Sequence, residues 1–303
     1  MKKGDIEVSK IPTIELFYST AWEDYELLDS GNGLKLERFG RYKFVRPEHQ
    51  AVWTAALSTK EWERADAVFQ PTNDESGGKW QFTRQIESKW EMHYQDLSFL
   101  ARTSNSRHLG VFPEQAAHWD WIREQITAYH KPVNVLNLFG YTGLASLAAV
   151  KAGANVTHLD ASKKSVQHAK ENQALSGLGE KSIRWIIDDV LKFVGREARR
   201  GVQYEGIIMD PPKFGRGPKG EVWEFFKMLP YLLQEIRPVL APKPLFLVIT
   251  AYAIRASALS LHYSIEEMMK NFKGTLSSGE LALNEKSAGR ILSMAITSRW
   301  SSI

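Results

Sequence analysis

Short runs in which apolar and polar residues alternate dominate the first hundred residues, and from Val133 onward compact apolar runs alternate with longer helical segments. The first pattern has the two-residue period of strands with one buried face. The second is that of a mostly parallel, doubly wound α/β sheet. Tyr25 to Gly40 predicts a hairpin about Ser30-Gly31-Asn32-Gly33, and Arg41 to Pro47 a further strand with basic residues on one face. Trp80 to Phe82 and Lys89 to Tyr94 predict two more strands, with Pro71 to Lys79 a flexible loop between elements. Arg102 to Pro113 reads as a polar linker, and a helix over His118 to Ile126 leads into the second region.

That region opens with Val133 to Asp160, which reads as strand, tight turn, helix, strand and terminal acid. Val133 to Phe139 suits a buried parallel strand, and Gly140 and Gly143 flank a turn whose backbone comes close to a ligand, where a β-carbon would obstruct. Thr142 is placed to cap the helix through Leu144 and Val150, and Gly153 ends it before a strand over Ala154 to Leu159. Asp160 stands at the end of that strand, where a carboxylate accepts hydrogen bonds from a ribose diol. Without Asp160, any βαβ unit with a glycine turn would account for the pattern. Beyond it come a helix from Ser162 to Ser176, a strand over Ile183 to Ile187 with Asp188 and Asp189 after it, and a strand over Ile207 to Met209. Helices over Glu221 to Ile236 and Ile254 to Lys270 flank a strand over Leu245 to Thr250, and Ser277 to Leu283 with Arg290 to Trp300 predict a closing antiparallel hairpin.

Composition changes the picture in three places. A length of 303 residues accommodates two domains, and 43% hydrophobic with 24% charged residues is ordinary for a globular core. There is no cysteine, which excludes disulfides, cysteine-ligated metals and every thiolate nucleophile. The eight histidines show no metal-binding spacing, so no metal is expected. No secretory leader pattern opens the chain and no apolar run is a membrane span, which leads to the expectation of a cytoplasmic protein without membrane contact. Residues 1–100 carry 13 Lys/Arg against 17 Asp/Glu, whereas residues 101–303 carry 26 against 18. The basic excess thus accompanies the α/β region, which suits a polyanionic substrate. Trp22, Trp53, Trp62, Trp80 and Trp90 crowd the first third, where they either stack on unpaired bases or fill the core of a small β domain.

Asn137 to Gly143 (NLFGYTG) resembles motif I of the class I S-adenosylmethionine-dependent methyltransferases, in the form found in the bacterial ribosomal large-subunit RNA base methyltransferases. Its Gly-x-x-Gly spacing lacks the third glycine of the dinucleotide fingerprint. Gly110 to Gln115 either resembles that family's Gly-x-Phe-x-Asp-Gln element at the cofactor's rim, with Glu114 in place of the aspartate, or is a plain helix-entry loop, and Asp210-Pro211-Pro212-Lys213-Phe214 resembles its motif IV. The resemblance implies a Rossmann-like class I methyltransferase fold over residues 101–303, with its closing hairpin, preceded by a small β-rich substrate-selecting module over residues 1–100. It implies S-adenosylmethionine as cofactor, held by Phe112, Gln115, Asn137, Phe139, Gly140, Tyr141, Thr142 and Gly143, by Asp160, Ala161 and Ser162, and by Asp188, Asp189 and Val190. Asp189 would recognise the adenine amino group, with helix capping as its competing role. Asp210, Pro211, Pro212, Lys213 and Phe214 would be catalytic, Asp210 orienting a base and Phe214 stacking on it, against the alternative of a structural Pro-Pro loop. Lys213, Arg216 and Lys219 either grip phosphate or form a solvated charge run.

The expected function is methylation of a nucleobase in RNA, ribosomal RNA in the first instance. The expected target is nitrogen, because the cysteine-dependent route to cytosine carbon 5 has no thiol here. Guanine N7 is the nearest precedent in the family. The competing readings are a methyltransferase for a small molecule or a protein side chain, and a non-catalytic RNA-binding relative. RNA is the expected partner, and nothing in the pattern specifies an oligomeric state.

Overall fold

The computed structural model describes residues 11–72, 77–179 and 183–303 of the chain. After β1 (Ile14–Phe17) come β2 (Tyr25–Gly31), β3 (Leu34–Phe39), β4 (Tyr42–Pro47), a short helix α1 (Thr59–Trp62), β5 (Ala67–Pro71) and β6 (Gly78–Phe82). β7 (Lys89–Tyr94) and β8 (Leu97–Arg102) follow as an antiparallel pair. Strands β2 to β6 form a five-stranded sheet in sequence order. Asn32 and Gly33 take φ of 54° and 77° between β2 and β3, the left-handed pair that a two-residue hairpin turn requires. The loop expected over Pro71 to Lys79 is shorter than that, because Pro71 and Gly78 pair across it as the ends of β5 and β6. Residues 73–76 lie outside the described residues.

The five early tryptophans belong to the core. Trp90 is buried, stacked on Phe44 at 5.5 Å, and Trp22, Trp53 and Trp80 pack against the same cluster. Each of the five indole N–H groups donates to a protein acceptor, from Trp22 to the Pro113 carbonyl through Trp62 to the Asp29 carboxylate. The side of β4 expected to be a basic surface is buried at Arg46. Its guanidinium makes a two-pronged pair with the fully buried Glu37, both bonds 2.7 Å long, which offsets the cost of taking either charge out of water.

The second region runs α2 (Ala116–Tyr129), β9 (Asn134–Leu138), α3 (Leu144–Lys151), β10 (Asn155–Asp160), α4 (Lys163–Leu175), β11 (Ile183–Ile187), α5 (Val190–Arg199) and β12 (Gly206–Met209). It continues with β13 (Phe214–Arg216), β14 (Val222–Glu224), α6 (Phe225–Ile236), β15 (Phe246–Ala251), α7 (Ala258–Met269), β16 (Thr275–Asn284) and β17 (Ile291–Ser301). The large sheet has the order β1-β16-β17-β15-β12-β9-β10-β11. From β15 to β11 all neighbours are parallel, and β17 closes the sheet antiparallel to both β15 and β16. This is the mostly parallel, doubly wound sheet with a terminal antiparallel hairpin, preceded by β-rich structure. β1 pairs in parallel with β16, so the far edge of the large sheet comes from residues near the start of the chain. One apolar cluster runs from Tyr25 and Phe44 through Leu147 to Phe246 and Leu292, and a second covers the opposite sheet face from Leu136 to Trp300.

Two helix starts differ from expectation. Residues expected to begin a helix at Glu221 instead form β14, because the Gly- and Pro-rich stretch before them folds back and Arg216 pairs with Val222. The helix expected from Ile254 begins at Ala258, where the Ser257 hydroxyl caps it by accepting the Leu259 N–H. No helix among the described residues is long and apolar enough to cross a membrane.

Candidate active site

The sheet changes its winding direction between β9 and β12, which are neighbours joined to strands on opposite sides. Ligand crevices of doubly wound sheets open at the carboxyl ends of such strands. There β9 gives way to a turn in which Phe139, Tyr141 and Gly143 take φ of 59°, 50° and 85°. Two non-glycine residues in the left-handed region are strained, so their surroundings must hold them. The Asp160 carboxylate does so in part, accepting the Tyr141 N–H at 2.9 Å and the Ser162 N–H at 2.7 Å. Beneath the turn, the Asn137 amide donates to the Ser146 hydroxyl at 2.9 Å, and that hydroxyl hydrogen-bonds His158 Nδ1, also 2.9 Å away. The other ring nitrogen, His158 Nε2, is a buried atom without a hydrogen-bond partner among the described residues.

The protein's own packing already requires glycine at both positions. A β-carbon on Gly140 would stand 2.3 Å from the His158 ring, and one on Gly143 2.8 Å from the Ala169 β-carbon. Thr142 does not cap α3, because left-handed Gly143 intervenes as the N-cap. Its hydroxyl instead donates to the Gly110 carbonyl at 2.8 Å and ties the linker to the turn.

A cavity of about 1300 Å³ lies over these strand ends. Of the residues singled out from sequence, Phe112, Phe139, Tyr141, Asp160, Ala161 and Ser162 line it, as do Asp188, Asp189 and Val190 from the β11–α5 junction. Asp210, Pro212, Lys213 and Phe214 line it from the end of β12. Asn137, Gly140, Thr142, Gly143 and Pro211 stand behind the wall, and Gln115 reaches Asp210 Oδ2 at 3.2 Å and the Tyr252 hydroxyl at 3.1 Å. Asp189 caps α5 by accepting the Lys192 N–H, and Asp188 pairs with Arg196. The Pro212 carbonyl accepts the Trp223 indole N–H at 2.6 Å. Phe214 is 56% exposed at the rim, with the Arg216 guanidinium over its ring.

Glu114, Asp160 and Asp210 are among the carboxyl groups that line the cavity. Burial, with the Glu114 and Asp160 carboxylates nearby, pushes Asp210 up to about 8. Burial also raises Glu114 and Asp160, although two backbone N–H bonds pull Asp160 down again. Between the ordinary 3.8 and about 8, the folded protein therefore holds a proton on Asp210 that the unfolded chain has released. The folded state binds more protons, so stability falls as pH rises through this window. Asp210→Asn, neutral throughout, is expected to gain melting temperature relative to the wild type between about pH 5 and about pH 9. A constant difference across that range would contradict the raised carboxyl.

Sequence reading missed one whole wall. Lys35, Arg46, His49 and Arg107 line the cavity from β3, β4 and the loops beside them, together with His108, Trp223 and Tyr252. Burial beside Arg46, Arg107 and Lys35 pushes His108 down to about 3. Phe112 links His108, at 4.8 Å between ring centres, to Tyr252, at 5.2 Å. The position of Tyr252 directly after a buried strand was the one local signal for any of them. Among the described residues, no group of three or more His, Asp or Glu side chains is arranged to hold a metal.

Comparison with known proteins agrees with this geometry. The chain is 46% identical to a SAM-dependent methyltransferase from Agrobacterium tumefaciens of known crystal structure, with a TM-score of 0.91 over 97% of this chain and 95% of that one. It is 34% identical over 119 residues to the ribosomal RNA large subunit methyltransferase I of Aeromonas salmonicida, which is 39% of this chain and 29% of that protein. It is 31% identical over 159 residues to the large subunit methyltransferase K/L of Shewanella frigidimarina, which is 52% of this chain and 22% of that protein. The matched stretch thus spans less than a third of either curated relative. The family model of S-adenosylmethionine-dependent methyltransferases matches residues 47–270, close to three quarters of the chain, and the chain belongs to that family.

Proposed function

We propose that the chain methylates a ring or exocyclic nitrogen of a nucleobase in RNA, ribosomal RNA in the first instance, using S-adenosylmethionine. The observation that carries the reading is Asp210-Pro-Pro-Lys-Phe214 at the end of β12, facing the switch-point cavity with a half-buried carboxyl. The curated relatives named as ribosomal RNA methyltransferases favour an RNA acceptor. The donor set fits the cofactor: Asp160 sits at the end of β10 beside the strained turn, where a ribose diol needs a carboxylate, and apolar Phe139 and Val190 flank it. Asp189 and the Val190 N–H at the start of α5 would take the adenine edge. The cofactor supplies an electrophilic methyl group on a positively charged sulfur.

For the chain's own residues the chemistry is mostly positioning. Asp210 would hold the base by its edge, and Phe214, at the rim, by its face. Methylation of a neutral lone pair leaves the acceptor cationic or releases a proton, and the Glu114 and Asp160 carboxyl groups that act on Asp210 would favour a cationic acceptor. The sequence has no thiol for attack on a pyrimidine ring, which favours nitrogen as the target. The test is nucleoside mass spectrometry of total RNA after incubation with labelled cofactor, alongside protein and metabolite pools. An N-methylated base is the expected product. A 5-methylcytidine peak would overturn the choice of atom, and a label found only on protein or metabolite would overturn the choice of acceptor.

A further inference from the structure

The hairpin that follows Asp210 carries a surface that the chemistry in the cavity leaves unused. Among the described residues β13 and β14 pair only with each other, Phe214 opposite Glu224 and Arg216 opposite Val222. Residues directly opposite share a face, so Phe214, Arg216, Val222 and Glu224 stand on one side of the hairpin and Trp223 on the other. The Trp223 side is fastened down. Its ring is buried against Phe139 at 4.9 Å, and its indole N–H donates to the Pro212 carbonyl. The other side is open, and because Phe214 and Arg216 also line the cavity, that open face begins at the cavity's rim.

Rings and cations are concentrated there. Among the described residues the three most exposed aromatic side chains are Phe214, Phe226 and Tyr231, at 56, 57 and 59%, and Val222 is open beside them in sequence. Phe226 and Tyr231 belong to α6, which follows β14 without a break. Single exposed apolar residues are ordinary, but a run of them at the mouth of a cavity marks a surface that a partner covers. The hairpin's two carboxylates are both taken, Glu221 by Lys192 at 2.5 Å and Glu224 by Lys227 at 2.8 Å. That leaves Arg216 and Lys219 without a carboxylate partner among the described residues, and the Arg216 guanidinium stands 6.0 Å from the centre of the Phe214 ring. Open rings beside unanswered cations fit a partner with flat faces and a negatively charged backbone, which is an unpaired nucleic-acid strand. A duplex would meet the cations but hide its base faces from the rings. A protein surface would meet the rings and leave the cations unanswered unless it were acidic.

We propose that the outer face of the β13–β14 hairpin and the first turn of α6 bind the unpaired RNA strand beside the accepting base, Phe226 stacking on a neighbouring base and Arg216 and Lys219 holding phosphates. The assignment rests on the RNA reading above and adds that the target lies in single-stranded RNA. The accepting base has to leave its stack to enter the cavity, and a strand held along the hairpin is already unstacked at the rim.

Fluorescence anisotropy of the full chain with a labelled oligouridylate of about twelve nucleotides, and with an RNA duplex of the same length, tests this. Tighter binding of the single strand is expected. Phe226→Ala removes an exposed ring and leaves the core intact. It is expected to weaken single-strand binding roughly 5- to 150-fold, with the cofactor's dissociation constant within about twofold by calorimetry, and Phe226→Trp is expected to restore it. Arg216→Ala and Lys219→Ala are each expected to flatten the dependence of log affinity on log salt by about 0.7. Unchanged binding by Phe226→Ala, or a duplex bound as tightly as the single strand, would overturn the proposal and leave the RNA reading standing. A dimer of the wild-type chain that Phe226→Ala dissolves would also overturn it, by making this face an interface between copies. A wild-type protein that neither binds nor methylates RNA would overturn the RNA reading itself.

Discussion

Asp210→Ala is expected to lower turnover by roughly 10²- to 10⁴-fold, the range for losing a positioned acid or base, and to leave cofactor affinity within about tenfold. The separation of the two effects comes from what Asp210 touches. Its side chain has one hydrogen bond among the described residues, from Gln115, and Gln115 keeps the Tyr252 hydroxyl when the carboxylate is gone. The glycine turn proposed to bind the cofactor is held from elsewhere, by Asp160 and by the Asn137, Ser146 and His158 chain beneath it. The fold has little reason to object either, since the substitution removes a carboxyl that burial already disfavours in its charged form. Turnover on RNA and calorimetry with the cofactor check the two halves separately. Equal losses in affinity and turnover would make Asp210 a cofactor ligand, and full turnover would remove it from the chemistry.

How much of this site could be read from sequence depends on how local each part is. The glycine turn, Asp160 and Asp210-Pro-Pro announce themselves because each lies within a few residues of a strand end, and strand ends follow from apolar runs. The closing hairpin is equally legible, since β16 and β17 are adjacent in sequence. Lys35 and Arg46 were not, because alternation alone reads a basic position on a strand as solvated. What buries them is the partner Glu37 and the cavity beyond, both products of tertiary packing. Asp189 shows the converse. Its helix-capping role is visible in the structure, while a contact with adenine has only its place on the cavity wall to support it. His158 was hidden most completely, as a polar residue within the buried strand β10, and the reason for Gly140 was hidden with it.

Gly140→Ala is accordingly expected to cost about 1–3 kcal/mol of stability, the range for overpacking a filled interior, and to weaken cofactor binding by roughly tenfold or more. The effect is steric. Gly140 is not among the residues with positive φ, so its backbone admits an alanine. The added methyl, however, would lie 2.3 Å from His158 Cε1 and 2.5 Å from its Nδ1. The ring has nowhere to retreat: Ser146 holds Nδ1, the Trp185 ring lies 4.7 Å away, and the residue is fully buried. The turn must move instead, and it carries the Tyr141 N–H that Asp160 grips at 2.9 Å. Displacing that contact loosens the carboxylate proposed to hold the ribose. Removing the ring should release the strain, so Gly140→Ala in a His158→Ala background is expected to cost less than Gly140→Ala alone. Melting temperatures and cofactor titrations of the four proteins form a double-mutant cycle. Additive costs would show that the methyl and the ring never meet, and that something other than His158 requires glycine at position 140.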